Sequence, residues 1–179
     1  MLMLAALPSA PQALLAALQR EIRLTRPFLE RLPADQFAWQ PHAKSMTLGQ
    51  LASHLADMLG NIADTLATDA YDMATAPAAD RLATATSPAE VVARFAANAD
   101  RAGAALAAAT EAALAQVWTF SVGEQVIFSQ PRAQIIRELL LDHLIHHRGQ
   151  LSVYLRLLDV AVPGTYGPTA DEATFDFAK

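Results

Sequence analysis

The chain has no cysteine. Disulfide staples, thiolate zinc sites and cysteine nucleophiles are excluded together. Glycine is scarce, at 7 of 179 residues, and no phosphate-cradling Gly loop or dinucleotide fingerprint occurs. Positive charge is scattered: no basic stretch exceeds two residues, and the net charge is −5. A phosphate backbone needs a clustered positive face, so nucleic acid is not an expected partner. No apolar run approaches the roughly 20 residues needed to span a bilayer. In the C-terminal half such a run is broken by Asp142 and by histidines. The opening MLMLAALPSAPQ is apolar but lacks a positive n-region, so no signal peptide is expected and the expected location is the cytoplasm.

Hydrophobic residues make up 53% and charged residues 17%, which is the composition of a globular chain. Its length suits one domain over residues 1–179 rather than two. Alanine and leucine dominate, and both favour helix. Four helical segments are expected. The first opens at Ser9 and carries Leu14, Leu15, Leu18, Ile22 and Leu29 at helical spacing, with Arg20, Glu21 and Arg23 between them. Pro27 should kink or end it near Arg23. A loop with Trp39, Pro41 and His42 follows. The second helix starts at Thr47, where Thr47-Leu-Gly-Gln50 has capping-box spacing, and fades near Thr68. Residues 69–86 read as a loop. Ser87-Pro-Ala-Glu90 opens a third helix with another capping-box match and Pro at its first position. In residues 117–128 bulky β-branched and aromatic residues flank Val122-Gly-Glu-Gln, which reads as a small hairpin or an extended loop. The fourth helix runs from after Pro131 to about Leu158, and a Pro/Gly loop ends the pattern. The expected fold class is all-α, a four-helix bundle.

Five histidines are present, and three lie in the fourth helix. His143 and His147 are four apart, so their imidazoles leave one face a turn apart. Two ring nitrogens so placed can reach one cation at roughly 2.0–2.1 Å each. His146 is rotated by about 100° from His147 and is a poor third ligand. His54 lies mid-helix beside the apolar stripe Leu48, Leu51, Leu55, Met58, Leu59 and Ile62. His54, His143 and His147 would supply three neutral donors with positions left open, as catalytic metal sites do. The competing reading is that these imidazoles are core polar groups that only hydrogen-bond. Gln50 and Asp57 flank His54; a capping role and an exposed carboxylate are their simpler readings. Asp142 should face arginine or solvent. Arg148 should pair with a carboxylate between helices, with anionic substrate as the alternative. Gln150 and Tyr154 follow His147 on its face, and Tyr166 lies in the final loop.

The run His143-Leu-Ile-His-His147-Arg-Gly-Gln-Leu-Ser-Val-Tyr-Leu-Arg156 resembles the DinB (damage-inducible protein B) family of metalloenzymes. Val162-Pro, Tyr166-Gly-Pro-Thr-Ala-Asp-Glu172 and the upstream Pro41-His-Ala-Lys-Ser-Met-Thr-Leu-Gly-Gln-Leu-Ala-Ser-His54 extend the likeness over nearly the whole chain. The resemblance implies an up-down-down-up bundle with a long crossover. It implies a divalent metal, nickel or zinc, on three histidines that fall on His54, His143 and His147. It also implies a homodimer, and a small-molecule substrate handled by thiol-dependent transfer with a low-molecular-weight thiol. The alternative function is a non-catalytic metal- or ligand-binding bundle.

Overall fold

The structure, a computed structural model, describes residues 9–76 and 84–172. Most of the apolar opening and the middle of the 69–86 stretch lie outside the described residues. Four long helices pack against one another: α1 (Ala10–Leu29), α2 (Leu48–Ala67), α3 (Pro88–Ala108) and α5. A three-stranded sheet completes the fold: β1 (Ala70–Asp72) follows α2, and β2 (Val117–Val122) and β3 (Gln125–Pro131) follow a short α4 (Glu111–Ala115). The last helix, α5, runs as three consecutive pieces, Arg132–Gln134, the π-helical Ile135–Leu141, and Asp142–Leu157.

Among the described residues α1 packs on α3, α3 on α2, α2 on α5, and α5 back on α1. The ring encloses one core, from Leu18 and Phe28 through Leu55 and Phe95 to Leu144 and Leu151. The α2–α3 seam is the tightest. A side chain at Gly60 would meet Asn98 Oδ1 at 2.9 Å. Asn98 instead donates to the Ala56 carbonyl at 3.0 Å across the seam.

The fold is helix-rich but not all-α. Residues 117–131 are rich in β-branched and aromatic side chains, which favour strand. They form a hairpin with Val122 opposite Gln125 and Gly123 at φ +60°, the left-handed position that such a two-residue turn requires. The segment after α2 then adds β1 in parallel, Tyr71 beside Phe120. The stacked rings of Tyr71, Phe120 and Phe128 line one face.

Two helix ends differ from expectation. Helix α1 continues through Pro27 to Leu29. Proline removes a single ladder bond near the end of the helix, and burial of Phe28 and Leu29 holds that last turn. At Ser87 the hydroxyl caps Glu90 N–H, but the Glu90 carboxylate accepts from the Thr86 backbone and hydroxyl instead of closing the box. Thr47 and Gln50 do form the full reciprocal pair.

The π-helical stretch has no proline or glycine to announce it. Asp142 N–H bonds the Arg137 carbonyl, five residues back. One extra residue per turn rotates everything downstream by about 100°. Within the π-helical stretch Leu139 is 37% exposed, while Leu141 is fully buried. That rotation sets the direction in which His143 and His147 leave the helix.

A candidate metal centre of three histidines

His54 on α2 and His143 and His147 on α5 converge, although 89 residues separate the first two in sequence. Their donor atoms all lie within 4.8 Å of one another. Ring centroids are 4.7 Å apart for His54 and His147, 5.3 Å for His54 and His143, and 4.4 Å for His143 and His147. Nitrogens bound to one cation at about 2.1 Å stand roughly 3.0–3.5 Å apart, so a shift of about an ångström closes the trio. His147 is buried, and the other two rings are half-buried.

The outward nitrogen of one ring is already engaged: His147 Nδ1–H donates to Gln150 Oε1 at 2.6 Å. Its Nε2 then carries a lone pair and faces His143 Nε2 at 2.7 Å. An Nε2–H of His143 closes a hydrogen bond there; with that proton displaced, both Nε2 atoms aim at one point, and this donor set fits a cation.

Burial, followed by the neighbouring His147 and His143 rings, lowers the His54 pKa to about 4. Burial lowers the other two as well; the Gln150 bond to His147 and the Leu139 bond to His143 work against it. All three are therefore neutral at pH 7, the form that binds metal. The linkage has a definite sign. Between the ordinary imidazole value of 6.5 and about 4 the unfolded chain binds a proton that folded His54 refuses. Metal-free protein should lose melting temperature as pH falls through that window, and His54→Gln should flatten the slope. An unchanged slope in the variant would remove His54 as its source.

His146 is exposed, with its centroid 5.1 Å from that of His147, and its nitrogens are not part of the group. His42 lies in the loop before α2, where its Nδ1 accepts from Lys44 N–H. Asp57 takes no part in orienting a ligand: it pairs with Arg94 of α3 at 3.3 Å. Asp142 pairs with Arg137 at 2.9 Å. The Tyr154 hydroxyl donates to the Met46 carbonyl at 3.1 Å, and its ring meets Trp39 edge-on, which pins the loop before α2 beside the site.

Next to the histidines lies a buried ionic network. Arg148 Nη1 donates to Glu21 Oε2 at 2.8 Å and to Thr25 Oγ1 at 3.1 Å. Its Nη2 donates to the Tyr166 hydroxyl at 3.0 Å, which donates in turn to Glu21 Oε2 at 2.7 Å. The structural pairing expected of Arg148 is present, but Glu21 was expected among the charged residues between the apolar positions of α1. The spacing Leu14, Leu18, Glu21, Thr25, Phe28 was the available signal, since it follows the buried face turn by turn.

The sequence profile of the DinB superfamily matches residues 17–151. The chain belongs to the DinB superfamily. No curated protein matches it. Among solved structures, a DinB-like protein from Bacillus cereus is 21% identical, with a TM-score of 0.66, over 86% of this chain and 95% of that one. A DinB-like protein from Bacillus subtilis is 17% identical, with a TM-score of 0.65, over 86% and 97%. A DinB family member from Exiguobacterium sibiricum is 22% identical, with a TM-score of 0.63, over 86% and 95%. At such identities the likeness is one of fold. Among the described residues no helix is long and apolar enough to cross a membrane.

Proposed function

We propose that this DinB superfamily chain is a metal-dependent enzyme in which His54, His143 and His147 hold one divalent ion, nickel or zinc. The observation that carries the reading is the convergence of three imidazole donors, with the Nε2 atoms of His143 and His147 facing each other at 2.7 Å and His54 completing the trio. Imidazole suits both metals. The bound ion would supply a Lewis acid that lowers the pKa of a coordinated thiol or water. The chain's own residues do the rest. Three neutral ligands leave the ion's charge uncompensated, which favours an anionic group of the substrate. Gln150 holds the His147 ring in the tautomer that presents Nε2. Arg148 is spent on Glu21, so it is not free to bind a substrate anion. The reaction class that fits is transfer of a low-molecular-weight thiol to a small electrophile, with the catalytic proton carriers left unassigned.

Protein purified without a polyhistidine tag and supplied with nickel or zinc should carry about one ion per chain by elemental analysis. His143→Ala should carry almost none. Wild-type protein that takes up neither ion would end the reading. Uptake without turnover across a panel of thiols and electrophiles would leave a metal-binding bundle and remove the enzyme.

A further inference from the structure

His147 and Arg148 are adjacent in sequence, so they leave α5 about 100° apart. That angle matches the packing of the bundle, where α5 has α2 on one side and α1 on the other. His147 turns to His54 of α2, with ring centroids 4.7 Å apart. Arg148 turns to α1 and is held at both tips of its fork. Nη1 donates to Glu21 Oε2 at 2.8 Å and to Thr25 Oγ1 at 3.1 Å, two acceptors one turn apart on α1. Nη2 donates to the Tyr166 hydroxyl at 3.0 Å. The anchor is itself fixed, because Arg20 Nε donates to the other Glu21 oxygen at 2.9 Å.

The contacts of α5 differ in how sharply they resist rotation about its axis. Leu144, Leu151 and Leu155 are fully buried and hold α5 in the bundle, but apolar burial is non-directional. On the α2 side the histidine layer packs ring against ring. The planar guanidinium, fixed at two nitrogens, is the directional contact. A side-chain tip lies about 5–6 Å from the helix axis, so a turn of about 10° moves it by about 1 Å. That equals the whole adjustment needed to close the trio on an ion, whereas ligand distances must hold to about 0.2 Å.

We infer that Arg148 and Glu21 are positioning residues of the metal centre: their buried ion pair keys the rotation of α5 against α1 so that His143 and His147 meet His54. The inference rests on the metal reading for its consequence, while the keying belongs to the fold. A buried ion pair is a weak source of net stability, and its best-attested use is to fix register. Two flexible methionines can therefore replace its stability but not its angle.

The test separates angle from stability. Glu21→Met with Arg148→Met should recover most of the wild-type melting temperature, yet bind cobalt(II) about tenfold more weakly. Its cobalt d–d absorption bands, which report coordination geometry, should change. Arg148→Lys keeps the charge without the fork; it should show the same split to a smaller degree, and it decides the matter if the double variant does not fold. Leu114→Ala, in the core at α4, should lower the melting temperature and leave cobalt affinity and bands as in wild type. In metal-free protein the nuclear Overhauser effect between the ring protons of His54 and His147 should be present in wild type and in Leu114→Ala, and weaker in the double variant and in Arg148→Lys. Wild-type affinity, bands and Overhauser effect in the double variant and Arg148→Lys would overturn the inference, as would an equal loss of affinity in Leu114→Ala. If wild type takes up no cobalt, the Overhauser effect decides alone. Its loss on removing the ion pair keeps the keying and removes the metal reading; its persistence removes both.

Discussion

Arg148→Ala is expected to lower the free energy of unfolding by about 3–5 kcal/mol, the cost of leaving a buried charge without its partner. Glu21 is 0% exposed and Arg148 3%. Truncating the arginine strips Glu21 and Thr25 of a donor and leaves the Tyr166 hydroxyl, which closes the final loop over α1 and α5, with one partner fewer. The loss exceeds what a surface pair would show because water cannot replace the missing guanidinium. Replacing both partners, as Glu21→Met with Arg148→Met, should recover much of it, since the desolvation penalty then disappears from both sides. The network also carries a pH signature. Burial raises the Glu21 carboxyl, but the bonds from Tyr166, Arg20 and Arg148 outweigh it and hold the pKa below its ordinary 4.5. Its contribution is present above 4.5 and is lost as pH falls through the lower folded value. Urea denaturation of Arg148→Ala and of the double variant, repeated across pH, measures all of this. A loss below about 1 kcal/mol in Arg148→Ala would mean the pair is not sealed from solvent.

The histidine trio was legible because its chemistry is local on α5. His143 and His147 declare themselves by four-residue spacing, and His54 by its place beside an apolar stripe. What spacing could not supply was the direction in which they leave α5. That depends on the π-helical turn before Asp142, and Ile135–Leu141 contains only ordinary helix formers with no proline or glycine to mark it. The sheet was half legible for a related reason. The hairpin is written in β-branched and aromatic residues around a glycine turn, but β1 is three residues long and pairs along the edge of β2. Such long-range pairing leaves little trace in a short polar stretch. Glu21 shows the opposite failure. Its position on the buried face was readable from periodicity, yet a carboxylate inside a helix bundle is implausible until the arginine that neutralises it, 127 residues away, is in view. Residue type argued against residue position, and position prevailed.

Saturating nickel or zinc should stabilise the fold by about 4 kcal/mol when free metal exceeds the dissociation constant a thousandfold, since the ion binds the folded trio and not the dispersed imidazoles. For a chain of this size that corresponds to a rise in melting temperature of about 10 °C. The effect joins α2 to α5, so it reports convergence of the rings rather than metal scavenging by one helix. His54→Ala separates these cases: it keeps the α5 pair but removes the cross-helix ligand, and should forfeit most of the stabilisation. Gln150→Ala tests the geometry further. It leaves all three ligands in place but frees His147 Nδ1, whose bond to Gln150 Oε1 at 2.6 Å fixes the tautomer. Loss of such a partner costs about 10–100-fold in metal affinity. The stabilisation at fixed metal should therefore shrink by about 1.4–2.8 kcal/mol in Gln150→Ala, with the melting temperature of the metal-free protein nearly unchanged. Equal metal-induced shifts in wild type, His54→Ala and Gln150→Ala would mean that the ion is held elsewhere, because no site built on these rings could lose both its third ligand and its orienting amide without weakening.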